Sequence, residues 1–427
     1  MATRLNYGKT FLLGFGFFGL SVVWGVYNAF VPIFLSEKFH LSPLVVGFFM
    51  TLDNIAALLI QPPVGAWSDR LRSPMGRRIP FLLIGAPITG VAFGLIPLPA
   101  VLPVFVACTS TLLLSAAFWR TPVIALMPDI TPSEFRSQAN GIINFMGGIG
   151  TIIALQTGGL LYKMNPVFPF WLGSALVILS ALVVYLFIEE PKDYGQADRS
   201  AQPGMIESLR EVFNNEDKSG ARILFAIFFW FIGFSAVDTF FTLYAKNHLG
   251  LHEGDGATLL SVLPLFFVLF AIPSGYIAGK IGRRLTISMG LVIITIVLVL
   301  LYITPASALL TGIAPLPLVG IPLVEGGARM LTLAGVLLIF AGAGWAFINI
   351  NSLPMIVDLT SAARIGTFTG LYYLFSTFSA IIGPNVNGWA IQLAGNNYNI
   401  IMLIAPGFML IALWLMLGVK HGEATVQ

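Results

Sequence analysis

Long apolar blocks, separated by short polar segments, follow one another along almost the whole chain. Six blocks lie before residue 189 and six after residue 220, at 11–35, 44–67, 80–98, 103–127, 139–162, 168–188, 221–245, 257–278, 285–303, 331–357, 367–393 and 400–419. A helix needs about 20 apolar residues to cross a hydrocarbon core of ~30 Å, and each block is close to that length or longer. The pattern predicts an all-α membrane protein with twelve transmembrane helices that lie in a lipid bilayer.

A polar stretch between the sixth and seventh blocks divides the chain into two halves. We predict an N-terminal six-helix bundle at 1–188, a linker with a short amphipathic surface helix at 189–220, and a C-terminal six-helix bundle at 221–427. The halves share a motif, because GAWSDRLRSPMGRR follows the second block and GYIAGKIGRR follows the eighth. This repetition predicts two pseudo-symmetric bundles that arose by duplication.

Composition and charge exclude several classes of protein. Hydrophobic residues make up 57% of the 427 positions and charged residues only 10%, and a net charge of +3 is too small for nucleic-acid binding. Cys108 is the only cysteine, so neither an internal disulfide nor a paired-cysteine motif is possible. The four histidines fall in loops or the tail, and the glycine pattern at 14–19 lies inside an apolar block. We expect no enzyme activity, no cofactor and no metal site.

The distribution of lysine and arginine predicts the orientation of the chain. If the N-terminus is cytoplasmic, all but five of the 22 basic residues lie in cytoplasmic segments. The exceptions are Arg120 inside a span and Lys38, Lys163, Lys246 and Arg329 on the outside. Both termini and the linker are therefore predicted to be cytoplasmic.

The motif after the second block is where the chain resembles a known family. Its glycine, its acid Asp69 and its later glycine followed by Arg77 and Arg78 are similar to the hallmark of the major facilitator superfamily, and the resemblance covers essentially the whole chain. The extra residues that follow Asp69 are similar to those of sucrose/proton symporters and of the glycoside-pentoside-hexuronide cation symporters. The segment that joins the fourth and fifth blocks, ALMPDITPSEFRSQANG, resembles bacterial relatives of the sucrose branch.

This resemblance implies a fold, a mechanism and a location. It implies the major facilitator fold, with a solute site between the two bundles that opens alternately to each side of the membrane. It also implies a monomer in a bacterial cytoplasmic (inner) membrane that transports a small polar solute, a sugar or glycoside. In the sodium-using melibiose branch two acids stand where this chain has Ala57 and Gln61, so a proton is expected as the coupling ion rather than sodium.

The repeated motifs and the loops that join the fourth to the fifth and the tenth to the eleventh block supply candidate gating residues. An acid in such a loop can cap a helix end and pair with arginines in one state and release them in the other. The alternative is that these arginines only fix the topology. The candidates are Asp69, Arg70, Arg77, Arg78, Asp129, Arg136, Arg283, Arg284, Asp358 and Arg364. Gly279 replaces the acid in the second copy, which predicts a weaker gate there.

Three ionisable residues lie deep inside apolar blocks, where a charge costs ~2.5 to 3.5 kcal/mol and marks a solute or ion pathway. They are Asp53, Arg120 and Asp238. Fully ionised, they carry one uncompensated negative charge, which a bound proton or other monovalent cation would remove. The alternative is a static pair between Arg120 and one aspartate. Polar and aromatic residues recur around them at helical spacing, so the candidate solute- and cation-binding set is Asp53, Arg120, Asp238, Trp24, Asn28, Asn54, Gln61, Trp119, Asn349 and Tyr372. Each polar member could instead join helices.

Three functional hypotheses remain open on the sequence. The first is proton-coupled symport of a sugar or glycoside, and the second is proton-driven efflux of drugs or other small organic solutes. A receptor that senses a solute without moving it is the third, and the absence of any segment resembling a signalling domain disfavours it. A mostly apolar, aromatic site would favour drugs, whereas converging Asn, Asp, Arg and Trp side chains would favour a sugar.

Overall fold

The structure is a computed structural model, and it describes residues 6–131, 135–190, 205–214, 216–317, 320–323, 327–359 and 365–420. Nearly all the secondary structure in these segments is helical.

The first half of the chain forms the helices α1 to α7, and a short helix α8 follows. Their bounds are α1 Tyr7–Ile33, continued by a π-helical turn at Phe34–Lys38, α2 Pro43–Phe49, α3 Leu52–Arg70, α4 Ile79–Leu95, α5 Leu102–Ile130, α6 Arg136–Met164, α7 Phe168–Phe187 and α8 Met205–Asn214. The short helix α8 lies within the linker predicted at 189–220, where a surface helix was expected.

The second half forms α9 to α16 and three short strands. Their bounds are α9 Ser219–Asn247, α10 Glu253–Leu260, α11 Val262–Ile281, α12 Arg283–Ile303, α13 Ala306–Leu309, β1 Gly312–Pro315, β2 Ile321–Pro322, β3 Arg329–Thr332, α14 Leu333–Val357, α15 Ile365–Leu393 and α16 Ile401–Leu417, the last preceded by a 3-10 turn at Tyr398–Ile400. The strands pair antiparallel in the order β1-β3-β2. This small sheet was not predicted, because its strands have only two to four residues and give no clear pattern in the sequence.

A helix stands at each of the twelve predicted spans. Within the described residues, ten spans are long and apolar enough to cross a membrane, and two of these join α2 with α3 and α10 with α11. The remaining two positions are occupied by the shorter apolar helix α4 and by α15, which has 29 residues. The chain is therefore a multi-pass integral membrane protein.

Two predicted spans, the second and the eighth, are each interrupted at a hydroxyl-bearing residue. Thr51 and Ser261 are fully buried, and each hydroxyl donates to the carbonyl three residues earlier, at 2.7 Å and 2.5 Å. A hydroxyl bonded back to the preceding turn weakens the backbone ladder, which bends or interrupts a helix. The breaks occupy corresponding places in the two halves, as duplication predicts.

The described chain divides into two compact units. Unit 1 comprises Met1–Leu41, Leu52–Gln196 and Leu251–Ser261, and unit 2 comprises Ser42–Thr51, Ala197–Gly250 and Val262–Gln427. Unit 1 thus contains α10, and unit 2 contains α2. The predicted bundle boundaries at 188 and 221 stay a prediction, because compactness does not show which segments move together.

Close backbone packing between helices holds the short segments in their units. In unit 1, a side chain at Gly159 of α6 would collide with the carbonyl of Gly254 in α10. In unit 2, a side chain at Gly47 of α2 would collide with the carbonyl of Pro384 in α15. Small residues permit such approaches in membrane helices, where dispersion contacts rather than water exclusion drive packing.

Candidate functional site

In the stretch of α1 from Gly19 to Ile33, which belongs to unit 1, three polar or aromatic residues form a partly accessible stripe among buried neighbours. About four fifths of its apolar window is buried, more than in any other described span. Ser21, Trp24 and Asn28 are half-buried, whereas the residues between them are buried. The stripe predicted at helical spacing therefore coincides with the side of α1 that remains accessible.

A buried tyrosine that the sequence analysis missed lies beside this stripe. The Trp24 and Tyr27 rings meet edge to face, with centroids 5.5 Å apart and an interplanar angle of 81°. Tyr27 is 1% exposed. Neither the indole Nε1 nor the tyrosine hydroxyl finds a hydrogen-bond partner among the described residues, although both atoms are buried. A tyrosine in mid-span, one turn after a tryptophan, was the sequence signal that could have identified it.

Helix α3 brings a carboxylate to the same region of unit 1. Asn54 Nδ2 donates to Asp53 Oδ1 at 2.8 Å, which holds the carboxylate in place. The negative charge of Asp53 acts electrostatically on the Tyr27 hydroxyl. Asp53 is thus linked electrostatically to Tyr27, whose ring contacts Trp24. Gln61 lies half-buried two turns further along α3.

Helix α5 carries Trp119 and Arg120, and the structure separates their roles. Trp119 is fully buried; its Nε1 donates to Thr89 Oγ1 at 3.0 Å, and its ring fills the space left by Gly85 of α4. In this structure Trp119 packs between α4 and α5, and its role in solute binding stays a prediction. Arg120 is half-buried and makes interactions within the protein.

Helix α9 of unit 2 contains Asp238 in a stretch that is otherwise buried. Every residue from Ser235 to Ala245 is buried except Asp238, which is exposed. Ser235, three residues before Asp238, is buried and accepts a hydrogen bond from the buried Asn387 of α15 at 3.2 Å. A carboxylate in the middle of a span that remains accessible faces water or solute rather than lipid.

An aromatic cluster lies one turn from Asp238. The rings of Phe234 and Trp345 stack in parallel with centroids 3.7 Å apart, and Phe231 meets Trp345 edge-on at 5.4 Å. Tyr372 is 6% exposed, and its hydroxyl is 3.1 Å from Ser352 Oγ, so its polar group is already engaged. Asn349, one turn before this serine on α14, is half-buried.

The first gating motif forms a cluster of charges in unit 1. Arg77 binds Asp129 at 2.6 Å, and Arg78 binds Asp129 at 3.0 Å and Asp69 at 2.5 Å. The Arg78 guanidinium also donates to the hydroxyl of Ser68. The loop between α3 and α4 is thereby tied to the ends of α3 and α5.

The cluster contains a third acid, Glu190, which the sequence analysis missed. Its side chain is inaccessible to solvent and lies 3.9 Å from the Arg77 Nε. One carboxylate oxygen accepts from the backbone N–H groups of Arg78 at 2.8 Å and Ile79 at 3.4 Å, so Glu190 caps the first turn of α4. Gly76 adopts a φ of 102°, and a side chain there would collide with Glu190. An acid followed by proline at the end of the sixth block was the available sequence signal.

The corresponding region of unit 2 is simpler. Arg283 pairs with Asp358, and Arg284 donates to the carbonyl of Leu417 at 2.9 Å. Gly279 is exposed and supplies no acid. Arg70 is exposed, the Arg136 side chain and Arg364 lie outside the described residues, and the gating role of the whole set stays a prediction.

Comparison with known proteins gives the family of this chain. A sequence profile described as Major Facilitator Superfamily matches residues 13–334. "Multidrug resistance protein 2" of Bacillus subtilis (strain 168) is 24% identical over 281 residues, which is 65% of this chain and 67% of that protein. "Lactose permease" of Citrobacter freundii is 25% identical over 191 residues, which is 44% of this chain and 45% of that protein. The chain thus aligns with about two thirds or less of these relatives.

Solved structures agree with the family assignment. The fold is similar to that of a bacterial homolog of the human lysosomal transporter Spinster, with a TM-score of 0.74 and 15% identity over 99% of this chain and 100% of that one. The predicted all-α fold and the resemblance seen in the repeated motifs are confirmed. The chain belongs to the Major Facilitator Superfamily, and it is a secondary transporter of small solutes.

Proposed function

We propose that the protein is a proton-coupled symporter that takes up a sugar or glycoside. The observation that carries this proposal is the exposed Asp238 on an otherwise buried stretch of α9, one turn from the stacked rings of Phe234 and Trp345. An aromatic face suits the C–H face of a sugar ring, and a carboxylate accepts hydrogen bonds from its hydroxyls.

The ionisable residues inside the spans supply the coupling. Asp53 and Arg120 belong to unit 1 and Asp238 to unit 2. If all three are ionised, one negative charge is in excess, and protonation of a carboxylate removes it before the protein reorients. We propose Asp238 as the proton carrier, because its carboxylate is accessible and can therefore exchange a proton with solvent. A bound sodium ion would also neutralise the excess negative charge, so sodium is the alternative coupling ion.

Proton-driven efflux of small organic solutes is the second candidate function. The aromatic side chains of unit 2 favour it, since Phe231, Phe234 and Trp345 would also accept a flat lipophilic molecule. A relative named as a multidrug resistance protein points in the same direction. A relative named as a lactose permease supports the sugar hypothesis.

Uptake into proteoliposomes distinguishes these functions. We expect a radiolabelled monosaccharide or disaccharide to accumulate under an inward proton gradient, and we expect a protonophore to abolish the accumulation. If only an inward sodium gradient drives accumulation, the coupling ion is sodium rather than a proton. No sugar accumulating under either gradient, together with outward transport of a lipophilic dye, would refute sugar symport and establish efflux.

The coupling role of Asp238 requires its own variant. Asp238→Asn should abolish accumulation against a gradient while solute exchange across the membrane at equal concentrations continues, because a neutral side chain still binds solute but carries no proton. Glu216→Gln, an exposed position outside the spans, is the matched control and should behave as the wild type. Full accumulation by Asp238→Asn would refute this assignment.

A further inference from the structure

We infer that Trp24, Tyr27 and Asp53 form a hydroxyl-recognition subsite in unit 1, and that Tyr27 is a specificity-determining residue. The inference rests on the proposed function and narrows it, because it requires a solute with several hydroxyl or ether oxygens. The subsite belongs to unit 1, whereas Asp238 and its aromatic neighbours belong to unit 2.

The two donors on α1 carry the argument. The indole Nε1 of Trp24 and the hydroxyl of Tyr27 are buried without a hydrogen-bond partner among the described residues. Nearly all buried polar groups in proteins are hydrogen-bonded, so two orphaned donors one turn apart on the same helix require an explanation. Their rings pack edge to face with centroids 5.5 Å apart, so each ring restricts the movement of the other. A ligand that brings acceptor oxygens would satisfy both.

The neighbouring carboxylate defines the chemistry of that ligand. Asp53 is oriented by Asn54 at 2.8 Å and interacts electrostatically with the Tyr27 hydroxyl. A solute hydroxyl accepts a hydrogen bond through its lone pairs and donates one through its proton, so it can bond Trp24 or Tyr27 and Asp53 together. Adjacent hydroxyls on a sugar ring present this combination twice.

Other classes of solute match the subsite poorly. A lipophilic cation would neutralise Asp53, but it has no oxygen to accept from Trp24 and Tyr27 and would leave both donors buried and unsatisfied. An inorganic cation has the same defect. A site built to bond hydroxyl groups discriminates strongly against analogues that lack them, because its own polar groups are then left unpaired.

The test compares two buried tyrosines that differ in the partner of the hydroxyl. Tyr244 is fully buried, and its hydroxyl donates to the carbonyl of Leu301 at 3.3 Å, so it is the matched control. In the purified protein without solute, Tyr27→Phe should raise the Tm by about 2 °C, since it removes an unsatisfied buried hydroxyl. Tyr244→Phe should lower the Tm, since it removes a satisfied one. A fall in Tm for Tyr27→Phe would show that its hydroxyl is bonded in the folded protein and would overturn the inference.

Solute binding is measured on the same variants with sucrose, lactose, maltose and melibiose as probes. The sugar that most raises the wild-type Tm is then used to measure KM for uptake in proteoliposomes. Tyr27→Phe should raise that KM by about tenfold, which corresponds to one lost hydrogen bond, while Tyr244→Phe leaves it unchanged. A KM for Tyr27→Phe equal to that of the wild type would overturn the subsite and leave sugar symport intact.

Deoxy analogues of the same sugar identify the group that Tyr27 contacts. The wild type should discriminate against one deoxy derivative, and Tyr27→Phe should lose that discrimination while retaining it at the other hydroxyl positions. Equal losses at every position would mean a general packing defect and would contradict the inference. If no sugar binds the wild type, the proposed function fails first, and the subsite fails with it.

Discussion

Replacing Glu190 with alanine should destabilise unit 1, because this side chain is the acceptor for the first turn of α4. In the wild type the N–H groups of Arg78 and Ile79 lie 2.8 Å and 3.4 Å from a Glu190 oxygen. The replacement leaves both groups without this acceptor. Each unsatisfied buried donor costs about 1 to 3 kcal/mol, and the longer bond contributes less. Removing a buried charge returns part of its desolvation penalty. We expect a net loss of about 2 to 4 kcal/mol in the free energy of unfolding.

Two further variants show whether the acceptor is the cause. Glu190→Gln keeps an oxygen in place but gives up the charge, and charge-assisted hydrogen bonds are about twice as strong as neutral ones, so we expect about half the loss. Glu189→Ala removes an exposed neighbouring acid and should leave stability unchanged. Thermal unfolding in detergent, followed by tryptophan fluorescence, measures the stability of each variant. We expect the wild type and Glu189→Ala to be the most stable, Glu190→Gln to be intermediate and Glu190→Ala to be the least stable. Equal stability of Glu190→Ala and the wild type would refute the capping role.

Three other predictions follow from contacts within single units. Trp119→Phe should lower the Tm and leave the KM for solute unchanged, because the Trp119 indole N–H donates to Thr89 in the core. A higher KM without loss of stability would instead support a role for Trp119 in solute binding. Lys163→Met should destabilise the protein more than Lys163→Met combined with Asp255→Leu. In the wild type Lys163 contacts the mostly buried Asp255 carboxylate at 2.6 Å, and the single change leaves that carboxylate without its positive partner. A double variant that is less stable than the single one would contradict this. Burial lowers the pKa of His248, so its neutral form is favoured in the folded state and stability is lost as the pH falls through the unfolded pKa of about 6.5. His248→Gln should therefore show a smaller fall in Tm between about pH 7.5 and pH 5 than the wild type, and an equal fall would refute this.

The positions of the spans and of the charges within them could be predicted from the sequence, but the partners of individual side chains could not. Asp238 was identified because an acid inside an apolar block is costly anywhere in that block. Trp119 and Trp24 look alike in the sequence, yet Trp119 bonds Thr89 in the core, whereas Trp24 lies on the accessible stripe of α1. Glu190 was missed because its role depends on the start of α4, more than 100 residues away along the chain.

That this protein crosses a membrane many times can be read from its amino-acid sequence, because a hydrocarbon core admits only segments that satisfy their own backbone hydrogen bonds and expose apolar side chains. The sequence also shows the internal repeat, since similar motifs follow the second and the eighth apolar block. The three-dimensional packing was needed to show that α10 belongs to unit 1 and α2 to unit 2. It was also needed to show that the Tyr27 hydroxyl feels the charge of Asp53 and has no hydrogen bond among the described residues. Helical periodicity puts residues on a common face, but which face meets a neighbouring helix depends on packing between segments that are distant in the chain.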